Sequence, residues 1–283
     1  MPEGDTIHRT ATTLHRALAG TIVTRFETVL PALLRVHADA PITGRRIDDV
    51  SAAGKHLLIR FSGDLVLRTH MRMSGSWHIY RPHERWRRRG ADMRIVIGTD
   101  DFVAVAFTVP VAEFHTERSL ARQPALRAMG PDLLAADFDA EEAVRRLRGR
   151  AADAIGEVVI DQRVMAGAGN IFRCETLFAC GVNPFTPVRS LSDAALHTIV
   201  ATARRLLSMH TADALARRAR DLTARRSGPE GWPAVYGRAG APCRACGTPV
   251  AYRKTGPAAR STYWCPRCQP DAITPAGARP AAR

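Results

Sequence analysis

The first residues of the chain, Met1-Pro2-Glu3, could carry out amine chemistry. Removal of Met1 by methionine aminopeptidase, which is favoured by a small second residue, exposes Pro2 as a free secondary amine. Such an amine can attack an aldehydic carbon and form an iminium. An α-amino group has a pKa of about 8, so much of it is neutral at cellular pH. Glu3 beside it offers a carboxyl group for acid–base catalysis. Met-Pro is also an ordinary start of a chain, so this hypothesis depends on what the rest of the sequence contains.

Four cysteines near the other end have the spacing of a metal site. Two residues separate Cys243 from Cys246, two separate Cys265 from Cys268, and eighteen lie between the two pairs. Four thiolates in this pattern bind zinc tetrahedrally and leave no open position for a catalytic water. Two disulfides are the weaker alternative in a reducing cytoplasm. The sequence therefore predicts one structural zinc ion and no organic cofactor.

A helix is predicted directly after Pro2 and Glu3. Apolar residues recur there at helical spacing: Ile7, Ala11, Leu14 and Leu18. Gly20 marks the end of the pattern. The helix dipole would disfavour a positive charge on an amine at its amino terminus, so this element would help to keep the Pro2 amine neutral.

Short β-rich runs separated by turn residues follow this helix. The predicted strands are Thr21–Leu30, Arg46–Val50, His56–Phe61, Leu65–Thr69, Ser76–Tyr80, Met93–Gly98 and Phe102–Phe107. Several short strands in series favour a β-sandwich.

A polar connection at His115–Pro124 leads to a mostly helical half. The predicted helices are Ala140–Arg148, Ile155–Met165, Ile171–Cys180 and Asp193–Met209. Two strands, Thr248–Tyr252 and Ser261–Trp264, are predicted between the cysteine pairs. The expected domains are residues 1–123, 124–234 and 235–270, followed by a tail at 271–283 whose Pro, Ala and Arg content predicts disorder.

The charge balance indicates a polyanionic partner. Lys and Arg number 41 against 27 Asp and Glu, which gives a net charge of +14. Nucleic acid is the simplest partner for such an excess, although an arginine-rich coding bias would produce the same composition. The sequence contains neither an apolar stretch long enough for a membrane span nor a signal-peptide pattern. We expect a cytoplasmic, nucleoid-associated monomer that has no membrane contact; no protein partner follows from the sequence.

Two residues in the β-rich half are candidates for binding DNA. Lys55 follows Gly54 between two apolar runs, which places it at the rim of the amino-terminal sheet. A structural lysine is the default interpretation there. Met73 lies in a Gly- and Ser-containing loop after a strand, where core packing is its usual role. An apolar side chain on such a loop could instead enter a base stack when DNA is kinked or a base is flipped.

Two residues in the second half could contact phosphates. Asn170 follows Gly167-Ala-Gly at the predicted start of a helix, where free backbone amides favour a phosphate. A tight helix–helix turn is the simpler interpretation of the same pattern. Arg260 lies five residues before Cys265, and basic residues on zinc hairpins often meet phosphates.

Taken together, these blocks resemble the formamidopyrimidine-DNA glycosylase/endonuclease VIII family over nearly the whole chain. They occur in the order that the family shows: Met1-Pro-Glu3, Gly54-Lys55, His70-x-x-Met73-Ser-Gly75, Ala168-Gly-Asn-Ile171, Val235-Tyr-Gly-Arg238, Pro242-Cys-x2-Cys246 and Arg260-Ser-Thr-Tyr-Trp-Cys265-x2-Cys268. The resemblance implies an α+β multidomain fold. Its parts would be an amino-terminal β-sandwich with flanking helices, a helix-two-turn-helix domain and a four-cysteine zinc-finger β-hairpin.

The same resemblance implies a bifunctional DNA glycosylase/AP lyase of base excision repair. Its partner would be DNA that contains oxidised bases or abasic sites. Pro2 would be the Schiff-base nucleophile and Glu3 the acid–base residue, with β,δ-elimination at the abasic site. Lys55 would contact a phosphate near the lesion and support catalysis.

The resemblance also implies the DNA contacts of the remaining candidates. Asn170 and Arg260 would hold the phosphates that flank the flipped nucleotide, and Met73 would enter the space that its base leaves.

The chain departs from the family pattern in ways that concern the substrate. Thr6 stands where a carboxylate is usual, and the stretch 107–113 has no arginine where purine-directed members carry a gap-filling loop. A Gly-rich segment that encloses 8-oxoguanine is not apparent between Met209 and Tyr236, and Gly4 resembles the endonuclease VIII branch. Oxidised pyrimidines are therefore favoured over oxidised purines. A non-catalytic damaged-DNA-binding protein and a zinc-ribbon RNA or ribosome-associated protein are the alternatives from other classes.

Overall fold

The computed structural model describes residues 2–212 and 232–271. These residues form two compact units, one made of 2–138 with 207–212 and the other of 139–206 with 232–271. The tail expected to be disordered lies outside the described residues except for Asp271, and so does the segment 213–231. No helix within the described ranges is both long and apolar enough to cross a membrane.

The first unit is a β-sandwich with helices at its sides. Its helices are α1 (Gly4–Leu18), α2 (Pro31–Asp39), α3 (Glu117–Ala121) and α4 (Pro124–Arg127). Its strands are β1 (Arg25–Thr28), β2 (Ile47–Ala53), β3 (His56–Phe61), β4 (Leu65–His70), β5 (Ser76–Tyr80), β6 (Met93–Gly98), β7 (Val103–Phe107) and β8 (Val111–His115). The strands make two antiparallel sheets, in the orders β1-β6-β7-β5 and β2-β3-β4-β8.

One hydrophobic core joins the two sheets and α1. It contains Ile97 from β6 and Ile59 from β3, and the apolar stripe of α1 contributes Leu14. Trp77 of β5 is fully buried in this core, and its indole N–H lies 3.4 Å from the hydroxyl of Thr69 on β4. The sandwich that the sequence predicts is confirmed.

Several elements of this unit differ from the sequence prediction. Helices α2, α3 and α4 were not predicted, and β2 ends at Ala53 and not at Val50. The run Thr21–Leu30 is not one strand, because β1 spans only Arg25–Thr28. The Thr28 hydroxyl accepts the N–H of Leu30 at 3.1 Å, and Pro31 then begins α2. Strand β8 was not predicted, since its side chains are all half-buried and show no alternation. It pairs with β4.

The second unit combines helices with a cysteine-bearing hairpin. The helices are α5 (Ala140–Arg148), α6 (Ile155–Val158), α7 (Asn170–Ala179) and α8 (Asp193–Ala212), whose last residues belong to the first unit. Strands β9 (Ala251–Thr255) and β10 (Arg260–Trp264) form the antiparallel hairpin. The α+β fold with a helical second domain and a cysteine-rich hairpin is thus confirmed.

Several boundaries in this unit differ from the prediction, and α8 ends at Ala212 and not at Met209. Helix α6 ends at Val158 and not at Met165. The Asp161 carboxylate accepts the backbone N–H of Arg163 at 3.0 Å and an Arg150 guanidinium N–H at 2.8 Å, which stabilises turns in place of a helix. Strand β9 begins at Ala251 and not at Thr248, because the carbonyl of Thr248 accepts the N–H of Cys243.

Candidate active site and cysteine centre

Pro2 and Glu3 lie immediately before α1. Glu3 occupies the N-cap position in an extended conformation, and its carbonyl accepts the N–H of Ile7 at 3.1 Å. Pro2 is half-buried, whereas Glu3 is only 1% exposed. A carboxyl group is seldom fully buried unless it is paired or has a function. The chain therefore holds an acid next to the residue that would become its terminal amine.

The first turn of α1 contains a polar network around Thr6. The Arg9 guanidinium donates to the Asp5 carboxylate at 2.6 Å and to the Thr6 hydroxyl at 3.2 Å. All three residues are buried. Thr6 thus has a structural place in this chain although it lacks the carboxyl group that is usual in the family, and Asp5 supplies a carboxylate one position earlier.

Lys55 lies on the two-residue turn that joins β2 to β3, as the sequence predicts. Ala53 pairs with His56 across the turn, and Gly54 has a φ of 56°, in the left-handed region that favours glycine. The N–H of Gly54 donates to the carboxylate of Asp132 at 2.6 Å. Asp132 therefore positions the turn that carries Lys55, and nothing in the sequence pattern indicates this role.

Two histidines lie near Lys55 at the edge of the same sheet. The ring centroids of His56 and His70 are 4.8 Å apart. Burial, the neighbouring His70 ring and the Arg68 guanidinium lower the pKa of His56 to about 3. Burial and the charges of Lys55 and the nearby arginines lower the pKa of His70 to about 4. Both rings are therefore neutral at physiological pH.

The hydrogen bonds of these rings define their tautomers. His56 Nδ1 lies 3.0 Å from an N–H group of Arg68, and His70 Nδ1 accepts the backbone N–H of Arg72 at 3.1 Å. Since both Nδ1 atoms accept, the ring protons belong on Nε2. Arg68 is itself buried and donates to Glu113 at 2.7 Å, and this bond lowers the pKa of the Glu113 carboxyl.

The loop between β4 and β5 carries two methionines that differ in burial. Met71 is 1% exposed and belongs to the core, whereas Met73 is 73% exposed. Gly75 closes the loop with an N–H bond of 2.9 Å to the carbonyl of Met71. A Cβ atom on Gly75 would lie 2.7 Å from that carbonyl oxygen, so the turn requires glycine. Met73 is thus presented to solvent on a tightly closed turn.

The short connection between β7 and β8 contacts this methionine loop. The Thr108 hydroxyl donates to the carbonyl of Ser74 at 2.9 Å, and Thr108 has a φ of 48°. Residues 108–110 are all that lies between the two strands. This connection lies within the stretch 107–113, and it is both short and free of arginine.

Asn170 begins α7 after a turn that Gln162 stabilises. The Gln162 side chain donates to the carbonyls of Ile160 and Ala168 at 2.9 and 2.8 Å, and it accepts the N–H of Gly167 at 3.1 Å. The turn and the helix start are as predicted, but Gln162 was missed. A glutamine eight residues before a helix start carries no recognisable signal in a single sequence.

The start of α7 is joined to the hairpin strand that carries Arg260. The Asn170 side-chain amide donates to the carbonyl of Ser261 at 2.7 Å. The guanidinium of Arg173, which is fully buried, donates to the same carbonyl at 3.1 Å and to the Thr262 hydroxyl at 2.7 Å. The structure therefore brings Asn170 close to the backbone at Arg260, the first residue of β10.

A buried carboxylate on α7 holds the chain that leads into the hairpin. Glu175 is 2% exposed and accepts three backbone N–H groups, from Ala234 at 2.7 Å, Val235 at 3.0 Å and Tyr236 at 2.8 Å. Burial raises the pKa of Glu175, while the three N–H bonds oppose this shift. Arg173 and Glu175 were missed in the sequence, although charged residues within the apolar run of α7 were an available signal.

The four predicted cysteine ligands lie together. Their sulfur atoms are all within 4.8 Å of one another. The Cys243–Cys268 and Cys246–Cys265 sulfurs are 3.9 and 3.4 Å apart, much farther than the roughly 2.05 Å of a disulfide. Sulfurs around a tetrahedral zinc ion are about 3.8 Å apart, as follows from Zn–S bonds of about 2.3 Å. The four residues can therefore hold a metal ion.

Comparison with known proteins identifies the family. The model of the formamidopyrimidine-DNA glycosylase N-terminal domain matches residues 1–110, and that of the H2TH domain of the same enzyme matches residues 129–218. Together they cover more than half of the chain. The chain belongs to the formamidopyrimidine-DNA glycosylase family, which confirms the family predicted from the sequence.

Similar curated proteins span nearly the full length of the chain. A probable endonuclease 8 2 of Streptomyces coelicolor is 40% identical over 274 residues, which cover 95% of this chain and 94% of that protein. The DNA-(apurinic or apyrimidinic site) lyase Nei2 of Mycolicibacterium smegmatis is 35% identical, and the match covers 95% of this chain and 99% of that protein.

Solved structures agree on the fold. The Lactococcus lactis formamidopyrimidine-DNA glycosylase in complex with DNA containing an abasic site has a TM-score of 0.80 at 22% identity, covering 95% of this chain and 99% of that chain. Another complex of that enzyme, with DNA containing an oxidised pyrimidine, has a TM-score of 0.80 at 21% identity and covers 95% of this chain and 100% of that chain.

Proposed function

We propose that this chain is a bifunctional DNA glycosylase/AP lyase that removes oxidised bases, with pyrimidines favoured, and cleaves the strand at the resulting abasic site. Pro2 is the nucleophile, Glu3 the acid–base residue and Lys55 the supporting cation. The observation that carries the proposal is the burial of the Glu3 carboxyl beside Pro2 at the start of α1. A buried acid next to a terminal secondary amine is the pair that imine chemistry needs.

The packing of α1 supports the inclusion of Lys55 in this site. Helix α1 packs on β2 and β3, and the N–H of Val50 on β2 donates to His15 Nδ1 at 3.3 Å near the other end of the helix. His15 and Val50 line one groove together with His8 and Ala52. The helix and the strand therefore run side by side from this anchor.

The lengths of the two elements support the same conclusion. From His15 back to Pro2 the helix extends by about 20 Å, at about 1.5 Å per residue. From Val50 forward to Lys55 the strand extends by about 17 Å, at about 3.3 Å per residue. Because the helix and the strand start side by side and have similar lengths, they should also end close together. This places Pro2, Glu3 and Lys55 at the same edge of the sheet.

In the proposed mechanism, the Pro2 amine attacks C1′ of the flipped nucleotide and the C1′–N bond to the base breaks. The base departs with the bonding electrons and takes up the proton that the Pro2 nitrogen loses. Glu3 gives a proton to O4′ as the C1′–O4′ bond breaks, and the nitrogen lone pair forms the iminium at C1′. The resulting iminium acidifies the C2′ protons, so loss of one of them expels the 3′ phosphate. A second elimination expels the 5′ phosphate and leaves a one-nucleotide gap with phosphates at both ends. Water then hydrolyses the iminium, which releases the unsaturated sugar fragment and restores the Pro2 amine.

The preference for pyrimidines rests on what the β7–β8 connection lacks. Its three residues, 108–110, include no cation, and Thr108 is held against the Met73 loop. A purine-directed enzyme of this family would use arginine here to stabilise the base opposite the lesion. Met73, exposed on its closed turn, is the side chain that we assign to the space left by the flipped base.

We assign zinc to the cysteine centre and phosphate contacts to Asn170 and Arg260. Zinc held by four thiolates has no open position, so its role is to fold the hairpin. Asn170 and the backbone at Arg260 are joined through Ser261, which would allow both to contact neighbouring phosphates of one strand. The net charge of +14 supports action on nucleoid DNA.

The proposal is tested with oligonucleotides that contain 5-hydroxyuracil, thymine glycol, 8-oxoguanine, uracil or an abasic site. We expect incision at the pyrimidine lesions and the abasic site, with phosphates at both ends of the gap. Glu3→Gln should lose base excision while it retains DNA binding. If none of the strands is cut, not even the abasic one, the proposed lyase is contradicted. Faster excision of 8-oxoguanine than of both pyrimidines would contradict the substrate preference.

A further inference from the structure

The connection between β5 and β6 is strongly basic and has no part in the site described above. Residues 81–90 contain five arginines and one glutamate. Together with Arg25 of β1, they line a groove of about 540 Å³. We call this the arginine groove and define it by its lining residues Arg25, Arg81, Arg85, Trp86, Arg88 and Arg89.

The fold holds this connection in place at several points. The Arg81 guanidinium lies 4.3 Å from the centroid of the Phe102 ring and donates to the carbonyl of Asp101 at 3.3 Å. The backbone N–H of Arg87 donates to the buried Tyr80 hydroxyl at 3.3 Å. The Trp86 ring meets Phe107 edge-on at 5.7 Å. The arginines therefore lie close together on a loop that is packed against the sheet.

Most of the positive charge in the groove is not compensated. Arg85, Arg88 and Arg89 are exposed, and within the part of the chain that the structure describes none of them pairs with a carboxylate. Arg25 pairs with Glu27 at 2.6 Å, and the Glu84 carboxylate accepts the backbone N–H of Arg81. Like charges held together repel, and an anion with several charges would relieve that repulsion.

The groove lies at the end of its sheet opposite to the methionine loop. In the pairing of β5 with β7, Ser76 faces Phe107 and Tyr80 faces Val103. The Met73 loop precedes Ser76, whereas the arginine loop follows Tyr80. Five residues of strand span about 17 Å, so the two loops cannot contact the same nucleotide.

We propose that the arginine groove is a second DNA-binding site, which holds the phosphate backbone of a DNA segment outside the lesion. One guanidinium group can donate two parallel hydrogen bonds to a phosphate, so a groove with several arginines can bind several phosphates of a backbone. The half-buried Trp86 among them adds a surface on which an unpaired base can stack. The site goes beyond base excision and depends on the proposed function only for the choice of DNA as the polyanion.

The test uses two triple variants with equal changes in charge. Arg85, Arg88 and Arg89 are each changed to Glu in the groove variant. Arg35, Arg118 and Arg122, which are exposed elsewhere on the same unit, are changed to Glu in the control variant. Each protein is trapped with borohydride on a short abasic strand, and binding of a second, lesion-free labelled strand is measured by anisotropy over a range of salt concentrations.

We expect all three proteins to be trapped equally and the trapped wild type to bind the second strand. The groove variant should bind it at least about tenfold more weakly, with a salt slope lower by about two, since each phosphate contact on a single strand contributes about 0.7. The control variant should lose less than about threefold. Equal losses in the two variants, or no binding to the trapped wild type, would overturn the proposal.

Two further outcomes separate this site from other possibilities. If no protein is trapped, the proposed lyase fails, and binding of the lesion-free strand to the untrapped variants still decides the role of the groove. If the groove variant loses binding of an acidic peptide such as polyglutamate but not of DNA, the groove serves a protein partner and our proposal is wrong.

Discussion

The side-chain amide of Asn170 donates a hydrogen bond of 2.7 Å to the backbone carbonyl of Ser261. This bond joins the first residue of α7 to the strand that Arg260 begins. The buried guanidinium of Arg173 donates to the same carbonyl. The position of Arg260 on the hairpin therefore depends on α7, although about ninety residues of chain separate them.

We predict that the effects of Asn170→Ala and Arg260→Ala on DNA binding are not additive. Arg260→Ala should lower the salt slope by about one, because a single phosphate contact is lost. Asn170→Ala should weaken binding through its own contact and through displacement of Arg260. The double variant should therefore lose less than the sum of the two free-energy changes. Titrations of the four proteins at several salt concentrations check this, and strict additivity would contradict the coupling.

Zinc should be required for the fold of the hairpin. In Cys243→Ser we expect loss of bound zinc, a lower melting temperature and DNA binding about tenfold weaker, because the metal supplies much of the folding energy of such a hairpin. Cys180→Ser, a cysteine outside the cluster, is the matched control and should retain one zinc per chain. Metal analysis and binding titrations decide it; a metal-free wild type with full activity would contradict the assignment.

The neutral histidines near Lys55 should make the stability depend on pH. In the folded protein the pKa of His56 is about 3 and that of His70 about 4. Below about pH 6.5 the unfolded chain therefore binds more protons at these two residues than the folded protein does. Stability should therefore decrease as the pH falls from about 6.5 toward 4. Replacing His56 by Gln, which can still accept from Arg68, should reduce this fall in melting temperature by roughly 2–4 °C. An unchanged dependence on pH would contradict the buried, neutral state.

Met73 should matter more in duplex DNA than in single strands. Flipping a base from a duplex leaves a gap and an unpaired partner, at a cost of a few kcal/mol, and the β7–β8 connection offers no arginine to offset it. We expect a 5-hydroxyuracil strand to be processed at least as fast alone as when annealed. Met73→Ala should slow the duplex reaction more than the single-strand reaction. The control variant Met209→Ala, which also changes an exposed methionine, should slow neither reaction.

Single-turnover rates on the same strand, alone and annealed, test this prediction. A duplex preference of roughly tenfold or more would mean that another side chain fills the gap, and the role assigned to Met73 would then be wrong. Equal effects of Met73→Ala on both substrates would also contradict it.

The sequence predicts those elements whose pattern is local. Strands β3, β5 and β6 and helix α5 have the bounds that alternation or helical spacing predicts. Strand β8 was missed because pairing with β4, and not its own pattern, makes it a strand. Helix α2 was missed because a Thr28 side-chain bond and Pro31 end the preceding strand early.

The residues of the candidate site also differ in whether a local sequence pattern predicts them. The cysteine pairs carry their own signal in their spacing, and the structure brings all four together. Asp132 carries none, and Glu175 carries only its charge within the apolar run of α7. Each accepts backbone N–H groups far along the chain, 78 residues away for Gly54 and 59 for Ala234. The backbone groups that such carboxylates hold are recognised only when the fold is known.

Borohydride trapping on an abasic strand tests the central claim most directly, because it captures the covalent bond between the amine and the sugar. We predict that wild type is trapped and that Pro2→Gly and a form that retains Met1 lose at least about tenfold of the complex, since the nucleophile must be a correctly placed terminal amine. Lys55→Gln should still form some complex, with the bond mapped to the terminal residue. Undiminished trapping in both Pro2→Gly and the Met1-retaining form would show that another amine, such as a lysine, is the nucleophile and would contradict the proposed mechanism.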